Sequence, residues 1–99
     1  MNRDSALDIL RRLRPLLEAR GIARAAIFGS IARGEAGAGS DVDVVVTPAA
    51  GRRLDLIDLG GVQSLLCEGF AGFEVDVVVE PVRKPDLLTA IQRDRVHAF

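Results

Sequence analysis

Cysteine is almost absent: Cys67 is the single one in 99 residues. A disulfide framework is therefore excluded, and a reducing compartment is the natural setting. His97 is the only histidine, so no cysteine–histidine metal spacing can be assembled, and Cys67 reads as a small core residue. Tryptophan and tyrosine are missing. Basic residues number 13 against 14 acidic ones, a net charge of −1, which leaves no footprint of a stable nucleic-acid-binding module. The apolar runs fall far short of the roughly 18 residues a spanning helix needs. Met1-Asn2-Arg3-Asp4 lacks the basic-then-apolar layout of a signal peptide. A cytoplasmic protein with no membrane partner is expected. There is no internal repeat, low-complexity tract or linker, so residues 1–99 read as one domain.

What is present favours a packed core. Apolar residues make up 48% of the chain, which is inconsistent with disorder. A domain this short buries only a modest share of its surface, so self-association or a hetero-complex would help it. Twelve of the 13 basic residues are Arg, suited to planar contacts with carboxylate or phosphate. The clusters Arg11-Arg12-Arg14 and Arg52-Arg53 read as solvated faces or as partner-docking surface.

Ser5-Ala6-Leu7-Asp8 resembles a capping box opening a helix. Leu7, Leu10, Leu13, Leu16 and Leu17 then recur at helical spacing. Pro15 inside that stripe predicts a kink or a break, and Gly21 predicts the stop. Ala25–Phe28 predicts a buried strand entering a turn at Gly29-Ser30, with Ser30 capping a brief helical turn through Arg33. Residues 34–40 form a small-residue loop, and Asp41–Val46 predicts a second strand. A helix is predicted over Leu54–Glu68, with Leu59, Val62, Leu65 and Leu66 facing the core. Gly60-Gly61 weakens it, each glycine costing about 1 kcal/mol in a helix interior, and a close approach to a sheet at Gly61 is one reason to keep it. Phe73–Val79 predicts a β-branched third strand. Pro85-Asp86 opens a last helix carrying Leu87, Leu88, Ile91, Val96 and Phe99, with His97 inside it. The fold class is α/β (α+β), a small mixed sheet with helices packed on it.

The chemistry centres on Asp41-Val42-Asp43. On a strand, residues two apart share a face, with Cα atoms roughly 6.5 Å apart. Two such carboxylates repel when alone. A divalent cation removes the conflict, and a small set of hard oxygen ligands suits Mg²⁺. Asp76 lies among four valines, and if buried there a carboxylate is expensive unless it is paired or bound to metal. Beside the first two, it would complete a two-metal site. Gly29-Ser30, directly after a strand, offers close backbone approach and a hydroxyl, which suits phosphate oxygens. Each feature has a plain alternative. Asp41 could be a turn residue, Asp76 could face solvent from an edge strand or pair with an arginine, and Ser40 could merely shape the turn before Asp41. Arg33 could reach a phosphate or brace the loop by pairing with Glu35 or Asp41. The joint pattern of Gly-Ser, ten residues and Asp-x-Asp should arise by chance in about one in a thousand chains of this length.

The stretch from Gly29-Ser30-Ile31-Ala32-Arg33-Gly34 to Gly39-Ser40-Asp41-Val42-Asp43 closely resembles the signature of the minimal nucleotidyltransferases, within the polymerase-beta-like nucleotidyltransferase superfamily. The resemblance runs over nearly the whole chain. It implies that Gly29 and Ser30 hold a nucleoside triphosphate, ATP, and that Asp41 and Asp43 bind two Mg²⁺ ions. Asp76 is implied as the third carboxylate, helping to activate the incoming hydroxyl. Val44 where leucine is usual, Gly60-Gly61, and the lack of Trp and Tyr depart from the pattern without touching these positions. Family members resemble the antitoxin half of toxin–antitoxin pairs. The implied partner is a helical HEPN-type ribonuclease toxin, silenced by AMP transfer to a tyrosine hydroxyl. Two other readings remain: an idle module that neutralises a partner by covering it, and a nucleotidyltransferase acting on nucleic acid or a small molecule.

Overall fold

A computed structural model describes residues 1–37 and 39–99; Ala38, in the small-residue loop, lies outside them. The elements run α1 (Arg3–Ala19), β1 (Ile22–Phe28), α2 (Gly29–Arg33), β2 (Val42–Pro48), α3 (Leu56–Gly69), β3 (Val75–Val79), α4 (Pro85–Asp94) and β4 (Val96–His97). The strands form one mixed sheet in the order β3-β2-β1-β4. β1 is antiparallel to both β2 and β4, while β2 and β3 run parallel. The α/β class and the mixed sheet are those read from the sequence.

α1 begins three residues earlier than the Ser5 box implies. Asn2 caps it, its side chain accepting a 2.8 Å hydrogen bond from the Ser5 backbone N–H, so Ser5 supplies an orphan donor and not the cap. Pro15 does not break the helix, which is continuous from Arg3 to Ala19. Pro15 lies on the exposed face, where water can take up the carbonyl its missing N–H leaves free. Ala6, Leu7, Leu10 and Leu17 are buried, whereas Leu16 is exposed, one residue out of phase.

β2 is one of the two inner strands, and its alternation sets the face on which Asp43 stands. Val42, Val44 and Val46 are buried in the larger core, with Ala6, Leu10 and Leu17 of α1 and Val62 and Leu66 of α3. Each fully buried aliphatic side chain contributes roughly 1.5–3 kcal/mol. Val45 points the other way, into a smaller core with Ala26, Phe28 and Ile91 of α4. Period-two alternation therefore puts Asp43 on the α4 face of the sheet.

Three further expectations are corrected. α3 opens on a capping box between Asp55 and Asp58, and Gly61 approaches the Arg20 side chain, not the sheet; a Cβ there would lie 2.6 Å from its Nη1. Cys67 is exposed, not core, because one residue past buried Leu66 rotates about 100° around the helix. The last helix stops at Asp94, Arg95 turns extended (φ −56°, ψ 126°), and Val96–His97 pair with Ala26 and Ile27 of β1 as a fourth strand. Val96 and Phe99 pack against the larger core from outside any helix. Among the described residues, no helix is long and apolar enough to cross a membrane.

Candidate active site

Two of the three carboxylates meet across β2 and β3, beside the end of β1. Phe28, the last residue of β1, faces Asp43, and on the other side of β2 Asp43 is the register partner of Asp76. Paired Cα positions on neighbouring strands point the same way, so Asp43 and Asp76 share the α4 face. Asp76 stands on the edge strand and is exposed; Asp43 is half-buried; Asp41 is exposed, one residue ahead of β2. β2 thus starts one residue later than predicted and runs on through Pro48.

The three charges feel one another. Burial pushes the Asp43 carboxyl above its ordinary value, and the negative charges of Asp76 and Asp41 push it further, with Arg33 partly opposing. Among the described residues, no three His, Cys, Asp or Glu side chains are drawn together, as they stand, tightly enough to hold an ion. The donor set itself, Asp43 and Asp76 in direct register on one face with Asp41 two residues before Asp43, is hard and anionic, which fits Mg²⁺.

Gly29 fits against Asp43. It opens α2 with φ +75°, and a Cβ built on it would collide with Asp43 Oδ2 and lie 3.2 Å from its Cγ. Glycine is thus required twice, by backbone conformation and by the carboxylate beside it. The cap of α2 is Phe28, which offers no side-chain hydrogen bond. Ser30 is therefore the second residue of the turn and not its cap, and the leading N–H groups are left to other partners. The turn closes on Gly34 in the left-handed region (φ 75°). In the following loop, the Ser40 hydroxyl accepts a 3.0 Å hydrogen bond from the Gly37 N–H, so Ser40 shapes the turn before Asp41.

Arg33 acts as a brace in this structure. Its Nε donates to Glu35 Oε2 at 2.9 Å and its Nη1 to Asp94 Oδ2 at 2.7 Å. Glu35 is one of the two partners expected; Asp94 is not. Asp94 also accepts from Arg93 at 2.9 and 3.1 Å and is the one buried charged residue among the described residues. The signal was in the sequence: Leu87, Ile91 and Asp94 recur at helical spacing, placing a carboxylate on the inward stripe.

Known proteins resemble this chain in sequence and fold. A relative from Methanocaldococcus jannaschii, named as a proposed protein adenylyltransferase, is 38% identical over 85 residues, covering 82% of this chain and 88% of its own. A solved structure of a proposed minimal nucleotidyltransferase superposes with a TM-score of 0.72 at 32% identity, covering 97% of this chain and 95% of that one. A chain from the complex of a tri-AMPylated Shewanella oneidensis HEPN toxin with an MNT antitoxin shares the fold, with a TM-score of 0.65 at 16% identity over 98% of this chain and 71% of that one. The family model described as nucleotidyltransferase domain matches residues 4–96. With all but the extreme termini inside that match, the chain belongs to the nucleotidyltransferase domain family and is a nucleotidyltransferase.

Proposed function

We propose that this nucleotidyltransferase transfers AMP from ATP to a hydroxyl of a partner protein, a tyrosine of a HEPN-type toxin, and so acts in the cytoplasm as that toxin's antitoxin. The observation that carries the catalytic part is the register pairing of Asp43 with Asp76 on one face, with Gly29 packed on the Asp43 carboxylate. The 38% identical relative named for protein adenylyltransferase activity supports the transfer of AMP to protein. The HEPN partner rests on the fold shared with a Shewanella oneidensis toxin–antitoxin complex, and the tyrosine rests on the family resemblance.

In this reading Gly29 and Ser30 seat the triphosphate tail, through close backbone approach and the serine hydroxyl. Asp41, Asp43 and Asp76 would hold two Mg²⁺ ions, which when bound supply charge neutralisation at the phosphates. Asp76, exposed beside half-buried Asp43, would accept the proton of the acceptor hydroxyl as it attacks the α-phosphorus and pyrophosphate leaves. Arg33 takes the second of its two roles, bracing the loop.

The deciding experiment incubates the protein with α-labelled ATP, Mg²⁺ and its co-purifying partner, then weighs the partner. Mass gains in AMP units support the proposal. Binding without label identifies an idle module instead, and label in RNA or a metabolite identifies a different acceptor class.

A further inference from the structure

The short helix α2 carries the turn at Gly29-Ser30, yet little in its own sequence fixes where that turn sits. Five residues are too few for a stable isolated helix. Ile31 and Ala32 are buried in the larger core and hold one side of α2 to α1 and β1. Arg33, the next residue, reaches to the opposite side of the sheet, where α4 packs through Ile91. There the side chain of Asp94, only 2% exposed, takes the guanidinium at 2.7 Å, while Arg93 fixes the same carboxylate from its own helix at 2.9 and 3.1 Å. A buried carboxylate held by two guanidiniums is a geometrically specific anchor. The last residue of α4 is thereby bolted to the last residue of α2.

We propose that Asp94 is a positioning residue for the nucleotide turn: through Arg33 it fixes the rotation of α2 and so holds Gly29-Ser30 against Asp43. Its functional consequence rests on the nucleotidyl-transfer reading above, whereas the mechanical claim does not. Asp94 touches neither nucleotide nor acceptor in this account. It acts by keeping the start of α2 where a triphosphate tail must meet it, so that the bound nucleotide finds its seat already formed.

The test uses Asp94→Asn in the whole protein with two readouts. The first is amide hydrogen exchange without nucleotide. The Gly34 N–H, bonded to the Ile31 carbonyl, and the Glu35 N–H, bonded to the Ser30 carbonyl, should exchange about tenfold faster while amides of β2 keep their protection. The second is a steady-state assay of nucleotidyl transfer, in which KM for Mg·ATP should rise about tenfold with kcat changed much less. A role confined to stability would lower the active fraction, and with it apparent kcat, leaving KM unchanged. Should Asp94→Asn melt below the assay temperature, Arg33→Gln cuts the same contact from its partly exposed side and should give the same two results. Unchanged exchange at Gly34 and Glu35 overturns the clamp. Faster exchange with unchanged KM overturns its role at the site. A wild-type protein that transfers no nucleotide refutes the functional reading alone, and the exchange result then decides the clamp by itself.

Discussion

Replacing Asp43 with Asn should make the metal-free protein more stable while abolishing its response to Mg²⁺. The magnitude follows from the register pair. Neighbouring strands stand about 4.8 Å apart, and two unit charges at about 5 Å repel by about 0.8 kcal/mol in bulk water and about 3 kcal/mol at an effective dielectric of 20. Asp43 is half-buried but Asp76 is exposed, so screening pulls the value towards the lower end, about 1 kcal/mol. Asp41 adds repulsion of the same sign, Arg33 offsets part of it, and burial of the Asp43 charge adds a cost that an amide avoids. For a chain of 99 residues, relief of about 1 kcal/mol raises Tm by about 4–8 °C. The sign with pH follows from the raised Asp43 pKa. The penalty is absent below the ordinary carboxylate value, grows as pH rises through the raised one, and is complete near neutral pH. The assay is thermal unfolding near neutral pH, followed by circular dichroism, in EDTA and in excess Mg²⁺. The D43N variant should melt higher than wild type in EDTA, and only wild type should gain from Mg²⁺. A lower Tm for D43N in EDTA, or an undiminished gain from Mg²⁺, would refute the view that these carboxylates repel one another until a cation joins them.

Substituting Asp76 with Ala should lower turnover by about 10²–10⁴-fold, the range for losing a general base or a metal carboxylate; turnover equal to wild type in a steady-state assay removes Asp76 from the chemistry. Gly29→Ala places a Cβ onto Asp43 at a positive φ, so activity should fall sharply and urea unfolding should show a loss of about 1 kcal/mol or more. Asp94 is held down to about 2 from an ordinary 3.8 by the Arg93 hydrogen bond foremost, with Arg33 adding to it against the cost of burial. A depressed carboxylate contributes stability that is fully present above its unfolded value and fades as pH falls towards the folded one, so acid titration of wild type should lose stability between about pH 4 and pH 2, and Asp94→Asn should flatten that segment.

The parts of this molecule that are legible in the sequence are those where a local pattern and a long-range consequence coincide. Val42, Val44 and Val46 alternate with Asp43, so the strand and the outward carboxylate are one signal. Asp76 among valines is the same signal on the neighbouring strand. What stays hidden depends on tertiary context. β4 is two residues long and pairs only because Arg95 leaves the helix beside β1, and no periodicity can announce two residues. Pro15 escapes a sequence reading because its cost depends on whether the freed carbonyl meets water, which the outer face of α1 provides. Cys67 escapes it by one step of helical phase: Val62 and Leu66 are buried, leaving residue 67 outside. Leu56 and Ile57, 86% and 78% exposed, show that apolar identity does not by itself indicate burial.

Asp94 is the most instructive of these because its meaning requires two helices at once. On α4 alone it is a charge breaking an apolar stripe. On α2 alone, Arg33 is a cation free to serve a phosphate or a loop. Their 2.7 Å contact gives each a partner on the other helix, and the proposed clamp is built on it. The larger core grips α2 from one side through Ile31 and Ala32, and it is indifferent to small rotations because apolar contacts are not directional. A hydrogen-bonded ion pair is directional. The placement of Gly29 against Asp43 therefore needs both kinds of contact, and the polar one lies on the same face of the sheet as the carboxylates it serves.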